Sequence, residues 1–308
     1  MNLLAFDTST DVMSIAVQRG LGEFGESGQL EGLHGAGTFQ TWQHTGAGGA
    51  QASSTLIPAI LQLMRQADLR LDQLNAVVFG RGPGSFTGLR TACSVAQGLA
   101  FGAGVPVLPV DTLLAVAEEA RYQWFANMKL HSSPKSQPQV PFQVPFQVLA
   151  VLDARMNEVY AAEYEFNSNG FQQNADYQLI QPENLVLRPG WHLAGNAVQV
   201  YGDRLPGDRS PADRLSGERL SGDPVTPEPH HGEALQFQPF RHIYALPTAL
   251  AMLRLAPALI ALGQAVAADQ ALPVYIRDKV AKTTLERMQE KQEKQDRHEN
   301  AATATHNA

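Results

Sequence analysis

Ala76-Val77-Val78-Phe79 leads straight into Gly80-Arg81-Gly82-Pro83-Gly84-Ser85-Phe86-Thr87-Gly88-Leu89-Arg90. A short apolar run stopped by glycine reads as a buried strand, and residues 89 to about 103 read as a helix. Strand, glycine turn and helix in this order make one step of an α/β layer. Backbone N–H groups at such a turn, with a helix dipole behind them, suit an anion. Gly82, Gly84, Ser85, Thr87, Gly88 and Arg90 are therefore candidate phosphate contacts. The glycine spacing matches neither a Walker loop nor a dinucleotide fingerprint. A tight turn that lets the helix pack near the sheet explains the same glycines equally well.

Upstream, the apolar residues 3–6 end at Asp7-Thr8-Ser9-Thr10, and residues 13–17 resume a strand pattern, which predicts a β-hairpin. Residues 20–49 are rich in glycine and predict loose strands and loop. Leu56, Ile60, Leu63, Met64 and Ala67 share one helical face, with Pro58 expected in the first turn. Downstream, a strand over 105–110 and a helix from 112 to about 124 complete a first lobe over residues 1–125. A Pro-rich insert over 126–147 carries a tandem Val-Pro-Phe-Gln. A second lobe is expected over 148–280: residues 148–152 and Asp153-Ala154-Arg155 precede a strand over 159–166, echoing Phe6-Asp7-Thr8-Ser9. A low-complexity insert over 203–234 repeats Arg-Leu-Pro/Ser-Gly, and a polar tail over 281–308 is expected to fray. Residues 245–268 are alanine-rich. With Arg254 central and Pro257 interrupting, they predict a buried helix pair rather than a membrane span. Pro273-Val274-Tyr275-Ile276-Arg277 reads as a short strand or extended segment.

The chain has 308 residues, enough for two lobes with a core each, and its 44% hydrophobic and 17% charged composition excludes fibrous and wholly disordered classes. A net charge of −7 disfavours strong binding of nucleic acid by this chain alone. One cysteine, Cys93, excludes an internal disulfide and a Cys-rich zinc site, and points to the cytoplasm. The N-terminus meets Asp7 too early for the apolar region of a signal peptide. No His pair has metal-ligand spacing, no Gly-x-Ser-x-Gly elbow is present, and Cys93 lies in an apolar helix, so neither a metal site nor a catalytic nucleophile is expected. Asp7, with Thr8 and Ser9, and Asp153 stand at matching turns. They could hold magnesium and phosphate between the lobes, or simply cap their turns. Ala92, Ala96 and the glycines of residues 89–103 leave that helix small-sided nearly all round. A partner helix is expected to cover one side, with Ile60, Met64, Ala92, Ala96 and Leu99 as the candidate interface.

Leu4-Ala5-Phe6-Asp7-Thr8-Ser9-Thr10, the block from Gly80 to Arg90, Asp153-Ala154-Arg155-Met156-Asn157-Glu158-Val159-Tyr160 and Pro273-Val274-Tyr275-Ile276-Arg277 together resemble the TsaB family, also called YeaZ. The resemblance runs in order through residues 1 to about 280. It departs from the family at Ala52-Ser53-Ser54-Thr55, where relatives carry a His-polar-Gln-Arg run. It implies an α/β, two-lobed actin-like fold (the class of sugar kinases and Hsp70) with duplicated mixed-sheet lobes. It further implies a non-catalytic subunit of the machinery that forms threonylcarbamoyladenosine beside the anticodon of tRNAs reading ANN codons. The implied partners are a TsaD-like transferase, which would carry the ATP and metal, a TsaE-like ATPase, and tRNA only through the complex. Pairing through the two helices of the first lobe, with itself or with TsaD, is implied as well. The alternative is an ATP-binding enzyme of the same fold acting alone.

Overall fold

Leu3–Asp7 forms β1, and Val12–Gly20 forms the antiparallel β2, with Leu4 opposite Val17 and Asp7 opposite Ser14. The computed structural model describes residues 1–21, 39–131, 145–167, 170–206 and 242–277. Met1–Tyr275 forms one compact unit, and of the second, Ile276–Ala308, only residues 276 and 277 are described. Most of the 203–234 insert and the whole 281–308 tail lie outside the described residues.

The first sheet adds β3 (Phe39–Ala47), β4 (Ala76–Gly82) and β5 (Val107–Asp111) in the order β3-β2-β1-β4-β5, with β1, β4 and β5 parallel. Its two faces differ in bulk. Leu4, Phe6, Ile15, Val17, Val77 and Phe79 meet α1 (Ala52–Gln66) and α2 (Phe86–Ala103) in one apolar cluster. The opposite face presents the small residues Ala5, Ser14, Ala16 and Gly80. Onto it packs a helix from far down the chain, Ala249–Ala261. Small side chains on both surfaces permit that close approach, and Ser14 Oγ accepts from Ala249 N at 2.9 Å.

α3 (Thr112–His131) starts beneath the first sheet and ends on the second, where Trp124 packs against Phe146 and His192 at ring separations of 5.3 and 5.5 Å. The second sheet is built around the antiparallel β6 (Phe146–Asp153) and β7 (Val159–Asn167). β8 (Gly170–Gln173) and β9 (Gln178–Ile180) pair with β7, β10 (His192–Ala194) runs parallel to β6, and β11 (His242–Ile243) extends β10. α4 (Ala197–Tyr201) follows β10, and Ala249–Ala261 is α5.

Four expectations change. The alanine-rich stretch is one helix with Pro257 inside it, not a pair, and it belongs with the first lobe rather than the second. Arg254, partly buried there, donates to Glu118 at 2.9 Å and Glu119 at 2.7 Å on α3, so the charge has partners. α1 starts at Ala52, ahead of the expected place, which puts Pro58 inside it; Ser53, Ser54 and Thr55 turn their hydroxyls back onto the carbonyls of Ala50 and Gln51. Finally, α3 runs to His131 and β6 begins at Phe146, so the expected 126–147 insert is shorter at both ends. The described residues contain no helix long and apolar enough to cross a membrane.

Candidate functional site

β1, β4 and β5 are parallel, so their carboxyl ends bring Asp7, Gly80 to Gly82 and Asp111 to one edge, where α/β sheets usually bind ligands. Asp7 is 0% exposed. Its Oδ1 accepts from Ser9 N at 2.8 Å and Ser9 Oγ at 2.7 Å, while its buried Oδ2 has no hydrogen-bond partner. Burial pushes this carboxyl up to about 7, against which the Ser9 bonds pull only partly. Gly80 is demanded by the same oxygen, since a Cβ there would stand 1.9 Å from Asp7 Oδ2.

The glycine block folds down onto the β1–β2 turn. Thr8 Oγ1 donates to Gly88 O at 2.7 Å, and Ser85 N donates to Ser9 O at 2.7 Å. A Cβ at Gly88 would lie 1.9 Å from Thr8 O, and one at Gly84 would lie 2.6 Å from Ser9 Cβ. Gly82 N is held by Thr112 Oγ1 at 3.1 Å. The N–H groups of Gly82 and Ser85, candidates for an anion, are thus spent inside the fold, and the tight-turn reading of the glycines fits the geometry better. Thr87 and Arg90 point outward; the Arg90 guanidinium lies 3.9 Å from the Phe86 ring centre and its Nε donates to Tyr275 Oη at 3.2 Å.

In the second lobe Asp153 occupies the equivalent turn with every polar group engaged. Its backbone N donates to Asn196 Oδ1 at 2.9 Å. Its Oδ1 accepts from Arg155 N at 2.8 Å and from Tyr201 Oη at 2.7 Å, and its Oδ2 lies 3.5 Å from the Arg155 guanidinium. Burial, then the bond to Asp153, pushes the Tyr201 phenol up to about 12. Arg155, Met156 and Asn157 turn the hairpin at φ of 62°, 56° and 59°, and Arg155 reaches Asp11 in the first lobe at 2.7 and 2.9 Å. The two turns therefore meet through Arg155 and Asp11. They do not form an open pair of carboxylates suited to magnesium: one is sealed by burial, the other already bonded by its own lobe. Among the described residues no group of three or more His, Cys, Asp and Glu is placed to hold a metal.

Two features escaped the sequence reading. Arg81 Nε donates to Asp111 at 2.5 Å, and Tyr177 and Tyr164 of the second lobe lie against this pair, where burial raises both phenols. The helix face also needs correction. Ile60, Met64, Ala92 and Ala96 are buried in this lobe's own core, and Leu99 packs partly against it. Ala92, Ala96 and Ala100 are small because they meet the sheet, and residues 268–271 cover a further flank, with Cys93 Sγ at 3.3 Å and Gln97 Nε2 at 2.8 Å from Ala271 O. The outward residues of the same helices are Ile57 (43% exposed), Leu61 (40%) and Phe101 (83%). Gly98 and Gly102 stand beside Phe101 with nothing within 4 Å of an added Cβ.

Two mixed sheets, each opened by a strand, an aspartate turn and an antiparallel return, define a two-lobed actin-like α/β protein. A model of the TsaD family, tRNA N6-adenosine threonylcarbamoyltransferase, matches residues 48–200. The tRNA threonylcarbamoyladenosine biosynthesis protein TsaB of Escherichia coli (strain K12) is 29% identical over 287 residues, which is 91% of this chain and 96% of that protein. TsaB of Haemophilus influenzae is 36% identical over 165 residues, 53% of each chain. YeaZ from Pseudomonas aeruginosa superposes with a TM-score of 0.60 at 28% identity, covering 89% of this chain and 99% of that structure. The chain resembles TsaB (YeaZ) proteins over most of its length, in sequence and in fold.

Proposed function

We propose that this chain takes part in forming threonylcarbamoyladenosine on tRNA as a non-catalytic subunit that pairs with, and supports, a TsaD-like transferase. ATP and metal would sit on that partner, a TsaE-like ATPase would join the assembly, and tRNA would be met through the complex. The names of its relatives point to the pathway, and the geometry of α1 and α2 carries the supporting role. Phe101 is 83% exposed, and beside it Gly98 and Gly102 each cost a helix about 1 kcal/mol relative to alanine. Among the described residues nothing fills the space above those glycines. A helix of the partner laid along residues 94–102 would use that space and cover Ile57 and Leu61 alongside.

The test is reconstitution of tRNA modification with a TsaD-like protein. Addition of this chain is expected to restore activity, and Phe101→Glu, which places a charge in the contact without touching the core, is expected to lower both binding and activity by about tenfold or more. Unchanged activity with or without the chain, or with Phe101→Glu, would overturn the proposal. The alternative, an ATP-using enzyme acting alone, is favoured by one observation, the unpartnered Oδ2 of Asp7. That reading predicts binding and turnover of magnesium-ATP by the isolated chain.

A further inference from the structure

The outer edge of β7 is paired by two different strands, and between them the pairing stops. Val159, Tyr160 and Ala161 face β9, and Tyr164 to Asn167 face β8, while Ala162 and Glu163 have neither strand opposite them. Residues 174–177 join β8 to β9 and bow out past this gap. The bow is pinned at three points. Asn174 N donates to Glu163 O at 3.0 Å, Gln173 Nε2 donates to Ala175 O at 2.8 Å, and Tyr177 lies against Asp111 and Arg81 of the first lobe. A cavity of about 280 Å³ opens where the pairing stops, lined from β7, from the bow and from residues 184–186.

We propose that this cavity binds a small organic cation, a primary ammonium carried on a short alkyl stem. Its lining is one-sided in chemistry. Leu149, Ala161 and Leu185 belong to the core of the second lobe and Ile180 packs against that core, so the walls offer apolar surface to a stem. The polar side chains that line it are Glu163, Asp176, Gln178 and Asn184, all able to accept hydrogen bonds, and among the described residues no Lys, Arg or His lines it. Arg188 offsets one of the two carboxylates, with a guanidinium nitrogen 2.8 Å from Glu163 Oε2. That contact lacks the alignment of a hydrogen bond, so the buried Glu163 Oε2 keeps its acceptor capacity, and the exposed Asp176 has no partner among the described residues. An ammonium brings three donors and one positive charge to this set, whereas an anion would be repelled by Asp176 in a partly enclosed site. The volume lies at the low edge of the range for ligand pockets, about 300 Å³ upward, which sets the ligand as a small one. The cavity is in the second lobe, apart from α1 and α2, so the site stands or falls independently of any transferase partner.

Calorimetric titration of the full chain with n-hexylammonium provides the test, with 1-hexanol and hexanoate as probes of the same stem and different charge. Hexylammonium is expected to bind saturably, about tenfold or more tightly than hexanol, and hexanoate is expected not to bind. Asp176→Asn is expected to weaken hexylammonium by about tenfold and to leave hexanol unchanged. Gln178→Lys, which places a fixed ammonium in the lining, is expected to abolish binding of hexylammonium. Asp176 and Gln178 are both exposed, so both variants are expected to fold as the wild type does. Slowed amide exchange on adding hexylammonium is expected at residues 161–163 and 175–186. Absence of saturable binding would overturn the proposal. So would equal affinity for the three probes, binding unaffected by both substitutions, or protection confined to another part of the chain.

Discussion

The two aspartate turns are built alike and satisfied differently. Asp7 and Asp153 each end the first strand of a sheet, and each accepts a backbone N–H two residues on. Around Asp7 the chain closes down completely, with Gly80, Gly84 and Gly88 letting β4 and α2 pack onto the turn until one carboxylate oxygen has no partner. Around Asp153 the lobe supplies partners instead, Tyr201 from α4 and Arg155 from the turn itself. The two turns thus share the backbone bond to the aspartate, while their lengths and partners differ and only the second runs through positive φ, at Arg155, Met156 and Asn157. In both turns the carboxylate is largely withdrawn from solvent.

The comparison is broken most severely at its glycines. Gly195 packs behind the second turn as Gly88 does behind the first. Its Cβ would stand 1.7 Å from Val151 O, and its φ of 140° disfavours any side chain. Gly195→Ala and Gly88→Ala press carbon onto backbone oxygen, and each is expected to lose about 3 kcal/mol or more in urea denaturation, Gly195→Ala the more. Losses under about 1 kcal/mol would show that the turns are loosely packed.

Next in size is the pH dependence of the first turn. Asp7 has a folded pKa near 7 against an ordinary 3.8, so the folded state holds its proton more tightly than the unfolded chain. The stabilisation from that proton is complete below about pH 4 and is lost as pH rises through 7. Wild-type stability is therefore expected to fall by something on the order of 2–4 kcal/mol between pH 4 and 8 through this group. Asp7→Asn is expected to remove that part of the slope whatever its effect at any one pH. A slope unchanged in Asp7→Asn would mean the carboxyl reaches solvent.

The second turn has smaller effects. Tyr201→Phe deletes one buried bond to Asp153, an expected loss of about 1 kcal/mol by thermal or chemical denaturation. Arg155→Ala cuts the bridge to Asp11, but with the guanidinium side chain 68% exposed the expected loss is below about 1 kcal/mol. A larger loss from Arg155→Ala than from Tyr201→Phe would make the bridge between lobes, rather than the turn, the more important contact.

Both hairpins and the step through the glycine block were legible in the sequence because each is a contiguous apolar run stopped by turn residues. The helix face was not. Residues 89–103 have small side chains on two faces, and periodicity alone does not say which meets the sheet. Ala92, Ala96 and Ala100 do, while Gly98 and Gly102 look outward. The return of α5 to the first lobe was equally hidden, since it depends on residues far apart in the chain. Its one local trace was Arg254, a charge in an apolar run that needed the carboxylates of Glu118 and Glu119. The closed state of the Asp7 site followed from approaches between turn and glycine block that spacing does not encode. The glycines could be read from sequence as an anion cradle or as a tight turn, and the distances fit the turn better.

The claim that joins these observations is that the chain acts through its surface and not through a nucleotide grip between its aspartate turns. Calorimetry of the isolated chain with magnesium-ATP, followed by a turnover assay on the same sample, tests it most directly. The account predicts neither measurable heat of binding at micromolar protein nor ATP hydrolysis. Tight binding with turnover, abolished by Asp7→Asn, would contradict it.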